Sequence, residues 1–125
     1  MPSFSKRSKD NLATCHENLQ LIAKDAIKLI DFTVIEGHRG KQAQQVAVAR
    51  GTSKTPWPRS KHNKLPSLAF DFIPYPFDGD WGKKNHPKFI AIGKVLLTCA
   101  EKRGIKASYG GDWKSFKDYP HFQLD

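Results

Sequence analysis

The stretch "SKHNKLPSLAFDFIPY" (residues 60–75) changes character halfway along. Up to Pro66 it is Ser, Lys, Asn and Pro, the end of a loop-like segment that begins at Thr52. From Leu68 to Ile73 it is apolar and β-prone, which predicts a strand closed by Pro74. The loop offers His62 and the strand carries Asp71, and a turn at Leu65–Pro66 would bring the two together. Taken alone the pair is weak, because a loop histidine and a strand-end aspartate at this spacing arise often by chance.

Working outward toward the N-terminus, "GKQAQQVAVARG" (40–51) reads as a short helix stopped by Gly51. Before it, Phe32 to Ile35 predicts a strand ended by Gly37. Leu12, Cys15, Leu19, Ile22, Ala26 and Ile30 recur in steps of three or four, predicting one long helix from about Asp10 to Ile30. Toward the C-terminus, "PYPFDGDWGKKN" (74–85) is loop. Pro87 then suits the first turn of a helix running to about Arg103, with Gly104 as its stop. "IKASY" (105–109) predicts a strand, Gly110–Gly111 a turn and "HFQL" (121–124) a last strand. The order predicts an α+β domain with a small, mostly antiparallel sheet packed with about three helices. No repeat or linker divides the chain, so residues 1–125 read as a single domain.

The 125 residues carry 21 Lys and Arg against 12 Asp and Glu, a formal charge of +9, with 38% hydrophobic residues. Such a balance argues against disorder and favours anionic partners: nucleic acid, an anionic membrane face or a cell-wall polymer. No apolar run is long enough to span a bilayer, and the first 15 residues lack the apolar core of a secretion signal. The expectation is therefore a protein made in the cytoplasm, with no stable membrane insertion. Cys15 and Cys99 lie in apolar patterns without CxxC spacing, and reduced core thiols are expected.

Of the five histidines, His16 reads as a surface residue and His86 as a capping residue beside a helix start. His121 is different, for it opens an apolar strand-like run where a merely solvated imidazole is out of place. With His62 and Asp71 it completes a common three-ligand set for catalytic zinc, a metal that lowers the pKa of water toward neutrality. Such a site needs a carboxylate as general base and later acid. Asp118, held by the stiff Tyr119–Pro120 step, is placed for that role; the plainer reading is a turn-forming aspartate.

Several segments together carry a family resemblance. "SKHNKLPSLAFDF" resembles the Ser-x-His…Ala-x-Asp motif of the zinc D-Ala-D-Ala carboxypeptidase and L-alanyl-D-glutamate endopeptidase superfamily. "DWKSFKDYPHFQL" (112–124) is similar to its second motif, where Asp-x-x-His precedes a short terminal strand. "EGHRGKQAQ" (36–44) and "GTSKT" (51–55) resemble its upstream segments, in the family's order. The resemblance implies a Hedgehog/D-Ala-D-Ala peptidase-like fold and one Zn2+ per chain. It implies His62, Asp71 and His121 as ligands and Asp118 as catalytic base. Arg39 would stabilise charge on the scissile carbonyl oxygen, and Ser60, Gln44 and Trp113 would support or wall the site. "NKLPSL" lengthens the family's usual gap between ligands and supplies no glycine, and its extra residues are expected to bulge outward.

The implied activity is cleavage of peptidoglycan stem peptides, with an L-alanyl-D-glutamate endopeptidase favoured over a D,D-carboxypeptidase. The implied context is a phage or prophage endolysin: monomeric, not acting on nucleic acid, reaching the wall after holin-mediated release. A small basic metal nuclease would place its ligands in one compact ββα unit, whereas these are split between mid-chain and tail. A non-enzymatic wall- or nucleic-acid-binding module explains the charge and leaves the His, Asp and Asp-x-x-His pattern without a purpose.

Overall fold

The computed structural model describes residues 2–125. Four strands form one antiparallel sheet in the order β1 (Phe32–Glu36), β2 (Ala69–Pro74), β4 (His121–Leu124), β3 (Ala107–Tyr109). Four α-helices accompany it: α1 (Lys6–Leu12), α2 (Glu17–Ile27), α3 (Lys41–Ala49) and α4 (His86–Lys102). The α+β expectation holds, as do the strands and the two later helices to within a few residues.

Strand alternation gives the sheet two unlike faces. Phe70 and Phe72 on β2 and Phe122 on β4 point one way, into a core shared with Leu19, Ile22, Phe89, Ile92 and Leu96 of α2 and α4. Phe70 and Phe122 sit opposite each other in the β2–β4 ladder, with ring centroids 5.6 Å apart. The alternate residues, Asp71 opposite His121 and Ala69 opposite Gln123, share the other face. One face of the sheet builds the core and the other builds a polar centre.

The single long helix expected over residues 10–30 is two helices. His16 N–H donates to Ser67 O (2.8 Å) and Ser67 N–H to Thr14 O (2.8 Å), so the chain pairs with the loop before β2 where it would otherwise continue as helix. His16 then caps α2, its Nδ1 accepting from Asn18 N–H at 3.0 Å. It is a cap rather than a bystander on the surface, and the apolar periodicity survives because both helices turn the same stripe to the core. His86 also departs from expectation: Asn85 holds the N-cap position, and His86 stacks on Tyr119 with centroids 3.9 Å apart. Cys15 and Cys99 are buried free thiols, as expected, and burial pushes the Cys15 thiol up to about 11.

The edge strand β1 shifts register between Val34 and Glu36. Helix α1 covers that edge: Ser8 Oγ accepts from Val34 N–H (3.0 Å) and Asn11 Nδ2 donates to Val34 O (2.9 Å). The bulge leaves Glu36 opposite Asp71, so the strand ends beside the polar centre.

Tyr109, buried at the end of β3, wedges its ring between α4 and the turn after it. A Cβ built on Gly93 of α4 would lie 2.5 Å from that ring. Gly93→Ala gains about 1 kcal/mol of helix propensity but forces an overlap that costs about 1–3 kcal/mol. The expected outcome is a lower thermal midpoint by several degrees. A midpoint that holds or rises would mean that the Tyr109 ring can give way.

Candidate active site

His62 lies on a 3-10 turn, Lys61–Asn63, built by reciprocal capping. Ser60 Oγ accepts from His62 N–H (3.2 Å) while Ser60 N–H donates to Asn63 Oδ1 (3.0 Å). Arg39 N–H donates to His62 O (2.7 Å), and Leu68 N–H to Lys61 O (3.0 Å) closes the loop toward β2. The lengthened stretch swings outward, leaving Leu65 exposed while His62 is buried. Asp71 and His121 meet it from β2 and β4, where the ladder register sets them opposite each other.

The three side chains converge. His62 Nε2 lies 3.2 Å from Asp71 Oδ1 and 3.2 Å from His121 Nδ1, and His121 Nδ1 lies 3.2 Å from Asp71 Oδ1. Each imidazole's other nitrogen is engaged elsewhere. His62 Nδ1 is 2.8 Å from the Gly37 carbonyl, which only accepts, so that nitrogen carries the proton. His121 Nε2 is 2.8 Å from Gln123 Oε1 and donates to it. With both protons directed outward, three lone-pair atoms face one point, and only a cation or a shared proton reconciles them. Tetrahedral zinc with bonds of about 2.0–2.1 Å sets its donor atoms ~3.3 Å apart, matching these separations. The donor set therefore fits a metal ion, and these three residues form a possible metal site.

The electrostatics agree. Burial alone would raise the Asp71 carboxyl, but the two histidines outweigh it and hold the group well below the usual carboxylate range. Burial would likewise lower His121, and the Asp71 carboxylate reverses the sign and raises it. Positive charge is favoured between them.

Asp118 is placed with Oδ2 3.9 Å from His121 Nδ1. Burial, reinforced by the Asp71 carboxylate, pushes its carboxyl up to about 6. Its backbone is clamped: Asp118 N–H donates to Gly110 O (3.0 Å), His121 N–H donates to Asp118 O (3.1 Å), and Tyr109 OH donates to Tyr119 O (2.8 Å). Phe72 N–H adds a bond to Pro120 O (2.8 Å). A Cβ on Gly110 would meet the Asp118 carbonyl at 2.4 Å, so only glycine lets the two segments approach so closely.

Arg39 is buried beside this centre. Its Nε donates to Glu36 Oε1 (2.9 Å), with Nη2 reaching the same oxygen, and Nη2 lies 3.4 Å from Asp71 Oδ2. Nη1 donates to Gln44 Oε1 at 3.0 Å. Gln44 is wholly buried and acts as a hub, accepting from Asn63 Nδ2 (3.1 Å) and donating to Ser53 Oγ (3.0 Å) and Thr55 O (2.5 Å). Trp113 lies against His121, ring centroids 5.2 Å apart. Ser60 sits behind His62 as its cap. All eight residues singled out from the sequence thus fall in or directly behind one centre. Glu36, Gly37, Asn63 and Gln123 were not singled out, although Gln123, two places after His121 on the same strand, follows from alternation alone. The ligand candidates come from a turn and two strands up to 59 positions apart, unlike a ββα nuclease unit.

A cleft of about 890 Å3 opens beside the centre, lined by Arg39, Asp71 and Asp118, by α3, and by residues 116–120. A profile of the phage L-alanyl-D-glutamate peptidase family matches residues 2–123. The chain is 34% identical over 118 residues to the L-alanyl-D-glutamate peptidase of Escherichia phage T5, spanning 93% of this chain and 85% of that protein. It is 33% identical over 122 residues to the peptidoglycan L-alanyl-D-glutamate endopeptidase CwlK of Bacillus subtilis, spanning 83% of this chain and 66% of that one. The crystal structure of the L-Ala D-Glu endopeptidase ChiX of Serratia marcescens superposes with a TM-score of 0.80 at 34% identity, covering 98% of this chain and 89% of that one.

Gln123 offers a test of how the centre is oriented. Replacing it by leucine removes the acceptor that keeps the His121 proton on Nε2. Outer partners of this kind typically change metal affinity about 10–100-fold, and a loss of that size is expected for Gln123→Leu in a competition titration against a chelator. An unchanged affinity would mean that His121 is oriented by its packing alone.

Proposed function

The chain belongs to the phage L-alanyl-D-glutamate peptidase family, and from that premise we propose that it is a zinc endopeptidase hydrolysing the L-alanyl–D-glutamate bond of peptidoglycan stem peptides. The observation that carries the reading is the convergence of His62 Nε2, Asp71 and His121 Nδ1, with both outward ring nitrogens tied down. On this reading the three hold one Zn2+. When bound, zinc supplies Lewis acidity, lowering the pKa of water and polarising a carbonyl.

The remaining chemistry belongs to the chain. A peptide in the cleft would run past Arg39 and Asp118, which line it. Asp118 takes a proton from the attacking water as the oxygen–carbon bond forms, and its carboxyl oxygen holds that proton. It then returns the proton to the amine nitrogen as the carbon–nitrogen bond breaks. A pKa near 6 suits a group that must first accept and then donate near neutrality. Arg39, fixed by Glu36 and Gln44 and always charged, stabilises negative charge developing on the carbonyl oxygen without reorganising. Trp113 and Tyr119 limit water around the reacting atoms, and Ser60 and Gln44 keep His62 and Arg39 in place.

The biological setting follows from the same reading. The protein acts as an endolysin, a monomer that reaches the wall once a holin has opened the membrane. Among the described residues no helix is long and apolar enough to cross a membrane itself. The net charge of +9 favours approach to an anionic envelope, and peptidoglycan rather than nucleic acid is the substrate.

Three measurements test this. Chelation should abolish release of peptides from purified peptidoglycan, zinc should restore it, and mass spectrometry should find new L-alanine carboxyl and D-glutamate amino ends; fragments cut elsewhere would reassign the bond. Asp118→Asn should keep its zinc and lose about 100- to 10,000-fold in kcat; a retained rate would remove Asp118 as base. Because the base must be ionised and burial makes it hold its proton more tightly than usual, the rate should fall on acidification, and a rate flat into strongly acid pH would contradict the assignment.

A further inference from the structure

The cleft carries two cations that the chemistry above does not use. Arg50 caps the C-terminal end of α3 on one wall, and Lys117 precedes Asp118 on the other; both line the cleft. Of the three acids lining the cleft, Glu36 is committed to Arg39, Asp71 to Arg39 and the two histidines, and Asp118 faces His121 as the base. Among the described residues neither Arg50 nor Lys117 has a carboxylate within 4.0 Å. Lys117 Nζ makes only a long bond to Gly111 O, 3.3 Å.

On a convex surface unpaired cations are simply solvated. Here they flank a concave groove whose walls also present Val46, Ala47, Trp81 and Phe116. Low-dielectric walls strengthen the pull of such free cations on an anionic group. Asp118 marks direction, because the group that protonates the departing nitrogen lies on the leaving-group side of the scissile bond. Lys117 is its chain neighbour. A glutamyl residue that continues a peptide through one carboxyl keeps the other free, a few bonds from that nitrogen.

We propose that Arg50 and Lys117 form a carboxylate-reading subsite, which holds the free carboxylate of the glutamyl residue on the leaving side of the cleaved bond. Arg50 supplies a planar fork suited to paired bonds with a carboxylate, and Lys117 a point charge. The subsite rests on the peptidase reading and adds a determinant of specificity to it. The free carboxylate anchors the leaving half of the substrate, so a stem peptide whose glutamate is amidated at that position is a poorer substrate.

The test uses the full zinc-loaded chain and two synthetic stem peptides that differ only in a carboxylate or carboxamide on the glutamyl residue. The wild type should prefer the carboxylate by about tenfold in kcat/KM, equivalent to about 1.4 kcal/mol. Arg50→Gln and Lys117→Gln should each narrow that ratio, and the double variant should bring it close to one. Both positions are exposed, and zinc content and thermal midpoint matching the wild type establish that the variants are folded. Equal cleavage of the two peptides by the wild type overturns the subsite and leaves the peptidase standing. A preference that survives in the double variant also overturns it. If the wild type cuts neither peptide nor purified peptidoglycan, the peptidase reading fails and the subsite falls with it.

Discussion

The pairing of β2 with β4 in one register is the constraint on which the rest depends. It sets Asp71 opposite His121 on one face and Phe70 opposite Phe122 on the other. A slip of β4 by one residue would turn its side chains over, sending the His121 imidazole toward the apolar core and the Phe122 ring toward Asp71. Core and chemistry are thus two readings of one ladder. The burial that locks Phe70, Phe72 and Phe122 beneath α2 and α4 also fixes the polar centre above them. Only His62 must be delivered separately, which is why so many bonds converge on its short turn.

That arrangement ties folding to charge. Three lone-pair atoms held 3.2 Å apart are a repulsive group without a positive partner; the sheet register holds Asp71 to His121, and the capped turn holds His62 against them. A cation held there would relieve that repulsion, and its affinity would then be part of stability. Arg39 plays a related part at longer range. Sitting between Glu36, Asp71 and Gln44, it offsets acidic charge that would otherwise accumulate at one end of the cleft.

Much of this was legible in the sequence because it depends on local pattern. The β-prone run before Pro74, the glycine stops and the proline opening α4 read correctly, since each acts through its own backbone preference. His121 was legible because a histidine opening an apolar strand needs a reason to be there; His62 and Asp71 alone were weak, and Arg39, Ser60, Gln44 and Trp113 were legible only through the family resemblance. The break at Cys15–His16 was not legible, because it comes from pairing with Ser67, 52 positions on in the chain, while the apolar period runs through uninterrupted. Glu36 and Gly37 were hidden for the same cause. One acts through a bulge in β1 and the other through its carbonyl, and neither leaves a mark in composition. His86 read as a cap because its neighbours suggested a helix start, and its aromatic contact with Tyr119 depends on a turn before β4 that lies far ahead in the chain.

Gly37 occupies an unusual junction. Its carbonyl accepts the Nδ1 proton of His62, while its Cα is pressed so close to the end of α1 that a Cβ would fall 2.4 Å from both Asn11 O and Thr14 Oγ1. The peptide that selects the tautomer of one ligand candidate is thereby seated against the N-terminal helix. A disturbance of α1 has a direct mechanical route to the imidazole, without passing through the core. The N-terminal helix then serves as a doorstop for the centre: it touches no reacting atom, yet its seating decides how squarely His62 faces its partners.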